Sequence, residues 1–66
     1  MIGQIWHFDT ETQDGLIIGR DNQRYRFSMI DYHNNNEPVE GNMVDFKVEG
    51  QSAKEIILMT SATSNI

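Results

Sequence analysis

Apolar positions along this chain follow the alternation of β-strands, and no stretch carries the three-to-four-residue spacing of an amphipathic helix. Residues 2–8 are rich in β-formers and run up to Asp9. The following Asp9-Thr10-Glu11-Thr12-Gln13-Asp14-Gly15 is polar and closes on glycine, which predicts a turn. Residues 16–20 make a short apolar strand. Arg20-Asp21-Asn22-Gln23 predicts a hairpin turn, with Asn22 suited to a left-handed backbone. Residues 24–28 alternate cleanly, with Arg24 and Arg26 toward one face and Tyr25 and Phe27 toward the other, as in a half-buried strand.

Past residue 28 the pattern changes. Residues 29–32 suit one helical turn, and His33-Asn34-Asn35-Asn36-Glu37-Pro38 is loop by composition. Glu40-Gly41-Asn42 is another turn. Residues 43–49 alternate again, Val44, Phe46 and Val48 against Asp45 and Lys47. Glu49-Gly50-Gln51-Ser52 turns the chain into a last strand at 53–59. Residues 60–66 are small and polar and read as a flexible C-terminal tail or linker. Five short strands around one long loop predict an all-β domain at residues 1–59, closed into a small antiparallel barrel, because closure removes edges that short strands cannot protect. Its expected core is Ile5, Ile17, Tyr25, Phe27, Val44, Phe46, Val48, Ile56 and Leu58.

The chain has 66 residues, no cysteine and a formal net charge of −5. That length is one domain with a small core, and nothing staples it covalently. No apolar run approaches the roughly 20 residues of a membrane span, and the start lacks a signal peptide's basic and apolar regions. A cytoplasmic protein without membrane contact is expected. The acidic balance argues against strong nucleic-acid binding, which rests on neutralising phosphates. Neither a cysteine nucleophile, a Gly-x-Ser-x-Gly elbow nor a phosphate-cradling glycine loop is present, so no enzyme and no cofactor are expected. His7 and His33 lack metal-ligand spacing, and no metal site is expected.

Taken in order, the strand segments resemble the bacterial cold-shock domain. Gly3-Gln4-Ile5-Trp6-His7-Phe8 looks like that family's Gly-x-Val-Lys-Trp-Phe, and Asp14-Gly15-Leu16-Ile17 lies where it has Phe-Gly-Phe-Ile. Arg24-Tyr25-Arg26-Phe27-Ser28-Met29-Ile30 lies where it has Phe-Val-His-Phe-Ser-Ala-Ile. Gly41 with Val44-Asp45-Phe46 is similar to its Glu-Gly-x-x-Val-x-Phe, and Ala53-Lys54-Glu55-Ile56 to its final strand. The resemblance implies a five-stranded OB-fold that binds single-stranded RNA or DNA on the face of strands one to three, with Phe27 partly exposed there.

The departures from the family fall on that face. Its first aromatic pair is replaced by Asp14 and Leu16, its second by Arg24 and Arg26, and a loop Phe by Asn35. His7 stands in the Trp position with Trp6 beside it, while Phe8 and Phe27 match directly. Each base stacked on an aromatic ring is worth about 1–3 kcal/mol, so binding is expected to be weak. The candidate contact residues are Trp6, His7, Phe8, Leu16, Arg20, Arg24, Arg26 and Phe27. Guanidinium groups stack on bases and pair with phosphates; equally, the arginines suit a solvated face balanced by Asp14, Asp21 and Asp45. Strand alternation sends Trp6 and His7 to opposite faces, with Trp6 packing in the core or at an edge, unless a β-bulge brings both outward. The other reading of the whole chain is an OB-type module that has lost nucleic-acid binding and meets a protein partner or a second copy of itself.

Overall fold

A computed structural model describes residues 1–59; the tail expected at 60–66 lies outside them. Strands β1 (Ile2–Asp9), β2 (Asp14–Gly19) and β3 (Arg24–Ser28) form an antiparallel meander. A single 3-10 turn, Met29–Asp31, follows, started by the Ser28 hydroxyl accepting from the Ile30 N–H at 3.4 Å. The two-residue β4 (Tyr32–His33) then leads through the long loop to the hairpin of β5 (Met43–Glu49) and β6 (Ser52–Leu58). β1 pairs with both β2 and β5, and β3 meets β6 in parallel at Arg26 and Ser52. The circuit β1-β2-β3-β6-β5 is therefore closed, and the expected small five-stranded OB-type barrel is what the chain builds. Among the described residues no helix is long and apolar enough to cross a membrane.

Local chemistry accounts for the turns. Asn22 takes φ +66° in the β2–β3 hairpin, where its N–H donates to the Gly19 carbonyl at 2.8 Å. In the β1–β2 turn the left-handed residue is Gln13, at φ +60°, and Gly15 is already in β2. Gly15 is required there for space: a Cβ would collide with the His7 carbonyl and press on the Phe27 ring. The β2–β3 hairpin is further pinned where the Tyr25 hydroxyl donates to Asp21 at 2.5 Å.

That bond holds the Asp21 carboxyl below its ordinary value of 3.8 and the Tyr25 phenol above its ordinary value of 10.0. A depressed carboxyl contributes stability above its unfolded-state pKa and loses it as pH falls through the folded one; a raised phenol contributes below its unfolded-state pKa and loses it as pH rises through the folded one. Denaturation midpoints are thus expected to fall at both ends, below about pH 4 and above about pH 10, and Tyr25→Phe is expected to remove the Tyr25–Asp21 share of both slopes. Equal slopes in Tyr25→Phe and the parent chain, measured by urea titration across pH, would contradict this.

The core consists of Ile5, Ile17, Tyr25, Phe27, Tyr32, Val44, Phe46, Ala53 and Ile56, with Phe8, Met29 and Leu58 packed against it. Two expectations are corrected. Phe27 lies in the core as its alternation predicts, at 3% exposure, and is not partly exposed as the resemblance implies, because Phe8 stacks on it at 5.9 Å and Tyr32 covers another side. Val48 has the inward parity of Val44 and Phe46 yet is 41% exposed. β1 pairs β5 only at Met43, Val44 and Asp45, so beyond Asp45 the outer edge of β5 has no neighbouring strand among the described residues, while β3 reaches the hairpin only on the β6 side. Tyr32 and Ala53 join the core by tertiary position, from a two-residue strand and a small side chain.

Candidate nucleic-acid interface

The outer face of β1–β3 follows from strand register. Leu16 lies between His7 on β1 and Arg26 on β3, and Ile18 lies between Gln4 and Arg24. Residues directly opposite one another on adjacent strands share a face, so His7–Leu16–Arg26 and Gln4–Ile18–Arg24 are two outward rows. Between Ile5 and His7 the register slips by one residue. This bulge places Trp6 and His7 consecutively on the outside, and Trp6 is 60% exposed. The expectation that Trp6 packs in the core or against an edge is overturned: with Ile5 inward, alternation sends Trp6 outward with Gln4, and the extra β1 residue brings His7 out beside it instead of inward.

Trp6, Leu16, Ile18, Arg24 and Arg26, with the amide side chains of Asn22, Gln23 and Gln51, line a depression of about 590 Å³. That volume is in the range of ligand-binding clefts. A second depression of about 310 Å³ adjoins it, sharing Leu16 and Arg26 and adding His7, Asp14 and Gly15. Together they form a strip across the three strands.

The charges on this strip are available to a ligand. Among the described residues no carboxylate lies within ion-pair distance of Arg20, Arg24 or Arg26, whereas Lys47 pairs with Glu55 at 3.4 Å and Lys54 with Asp31 at 3.3 Å. The acids expected to balance the arginines have other partners. Asp21 accepts from Tyr25, Asp14 from the Thr12 hydroxyl at 2.7 Å, and Asp45 lies 3.4 Å from the chain's N-terminal ammonium. His7 Nδ1 meets Glu40 at 3.2 Å, at the far end of the strip. Among the described residues no three His, Asp or Glu side chains come together as a metal site requires.

The structure brings together five of the eight candidate residues: Trp6, His7, Leu16, Arg24 and Arg26. Arg20 is exposed but leaves β2 at the hairpin turn and does not line either depression. Phe8 is half-buried with one ring face stacked on Phe27 and lines neither depression, and Phe27 is enclosed in the core. Sequence reasoning missed Ile18, Asn22, Gln23 and Gln51. The first three had a signal, since they flank the arginines across a hairpin. Gln51 had none, because it arrives from the β5–β6 turn by barrel closure, its carbonyl accepting from the Arg26 N–H at 2.9 Å.

Comparison with protein-family models finds no match to this chain, and comparison with curated proteins finds none either.

Proposed function

We propose that this chain is a binding module, not an enzyme, that holds single-stranded RNA or DNA weakly on the outer face of β1–β3. The observation carrying this reading is the pair of unpartnered arginines, Arg24 and Arg26, beside an exposed indole on a barrel whose lysines are both ion-paired. Trp6 stacks one base over the apolar surface of Leu16 and Ile18. Arg24 and Arg26 contact the flanking phosphates or stack on a second base, and His7 extends the track along the strip. With two or three phosphates neutralised, the log–log salt dependence has a slope of about −1.4 to −2, from roughly −0.7 per phosphate. A cytoplasmic location accompanies this reading.

A chemical-shift titration with a short mixed-sequence oligonucleotide at low salt tests it. Shifts are expected at the Trp6 indole N–H and at His7, Leu16, Arg24 and Arg26. An unchanged spectrum at high micromolar concentrations overturns the proposal. A second reading, a protein-interaction module, is favoured by the exposed Met43 and Ile57 on the β5–β6 side, 44% and 56% accessible. Light scattering that rises with protein concentration in the absence of oligonucleotide supports its self-association form.

A further inference from the structure

Three carboxamides share the larger depression with Trp6: Asn22 and Gln23 from the β2–β3 hairpin and Gln51 from the β5–β6 turn. Their backbones are held in place. Asn22 N–H donates to Gly19, Gln23 exchanges bonds with Gly19 and Asp21, and the Gln51 carbonyl takes the Arg26 N–H. Their amide groups have no intramolecular hydrogen-bond partner among the described residues. Two amides outside the depression are engaged, Gln4 Nε2 donating to the Gly41 carbonyl at 2.9 Å and Asn34 Oδ1 accepting from the Asn36 N–H at 3.1 Å, whereas all three in the depression are, among the described residues, free for a ligand. A position-held, unpartnered donor–acceptor pair beside an exposed indole is what reading a base edge requires.

We propose that this depression selects adenine, stacked on Trp6 and read at its edges by carboxamides of Asn22, Gln23 and Gln51; this rests on the nucleic-acid reading above. A carboxamide presents one N–H donor and one C=O acceptor side by side. Adenine offers the complementary pair twice, as N6–H with N7 and as N6–H with N1, so two amides engage one base at once. Cytosine and uracil offer such a pair on one edge only. Guanine offers such a pair on its Watson–Crick edge, as N1–H with O6, but its Hoogsteen N7 and O6 are both acceptors, a match for guanidinium, so only adenine presents the pair on both of these edges. Arg24 and Arg26 are the groups that hold phosphate. A purine also covers more of the indole than a pyrimidine does, in the same direction.

Trp6 is the chain's one tryptophan, so its fluorescence reports directly on the site. The test titrates the full chain at low salt with short oligonucleotides of equal length, all-adenine, all-uracil, all-cytosine and guanine-containing mixed sequence. The all-adenine strand is expected to bind about fivefold or more tighter than the pyrimidine strands, the discrimination of one well-made bidentate contact. The triple variant Asn22→Ala, Gln23→Ala, Gln51→Ala is expected to bring all strands within about twofold, through a larger loss of affinity for the all-adenine strand than for the all-uracil strand. These positions are exposed, and retained chemical-shift dispersion confirms folding. Equal affinity for all strands, preference for guanine, or an adenine preference that survives the triple variant overturns the inference and leaves the nucleic-acid reading standing. Absence of binding by every strand overturns both.

Discussion

Replacing Phe46 with alanine is expected to remove about 3–5 kcal/mol of stability, the range for emptying an aromatic core site. Phe46 is 2% exposed and packs against the Tyr25 ring at a centroid distance of 5.5 Å. Its ring fills the space over Gly3. Its backbone is also a tie point, with the N–H donating to the Met1 carbonyl at 2.8 Å and the carbonyl accepting from the N-terminal ammonium at 2.6 Å. A domain of this size has on the order of 3–10 kcal/mol in total. The variant should therefore be largely unfolded at room temperature, or close to it, and lose its methyl and amide shift dispersion. Val48→Ala is the control. Val48 has the same strand and parity but lies where β5 has no neighbour on its outer edge among the described residues and is 41% exposed, and its loss is expected to cost under about 1 kcal/mol. Urea unfolding midpoints compare the two, and equal losses would mean that the barrel extends under the β5–β6 tip after all.

The second large effect concerns binding. Arg24→Ala with Arg26→Ala is expected to weaken oligonucleotide affinity by at least about tenfold at low salt and to flatten the log–log salt slope by about 1.4, for two lost phosphate contacts. Neither side chain has a carboxylate partner among the described residues, and both project outward from β3. Folding is therefore expected to be nearly unaffected, which circular dichroism and the urea midpoint verify. Lys47→Ala with Lys54→Ala removes the same formal charge from the ion-paired side, and its affinity is expected to change less than about threefold. An equal loss from both pairs would mean that net charge, not the β1–β3 face, governs association, and the proposed site would be withdrawn. An unchanged salt slope in the arginine pair would have the same consequence.

How much of this was legible in the chain differs from residue to residue. Arg24-Tyr25-Arg26-Phe27 announced its two faces because a strand's period of two is a property of the backbone itself. Asn22 announced its turn because few other residues tolerate a positive φ. His7 was ambiguous, since beyond Ile5 and Trp6 alternation sends it inward and a bulge sends it outward, and only pairing with β2 decides between them. Val48 went the other way from its parity, and Phe27 is more enclosed than the resemblance implies, because depth depends on what lies around a strand and not on the strand's own pattern. Tyr32, Ala53 and Gln51 carried no local signal at all.

Local backbone and side-chain preference alone therefore determined the strands, their turns, the all-β class and the outward pair of arginines. Pairing between segments distant in sequence decided the rest: the bulge that sets His7 outward beside Trp6, the enclosure of Phe27, and the arrival of Gln51 beside Arg26. Those outcomes depend on register and closure, which are set by the whole set of strands competing for one small core rather than by any segment within it.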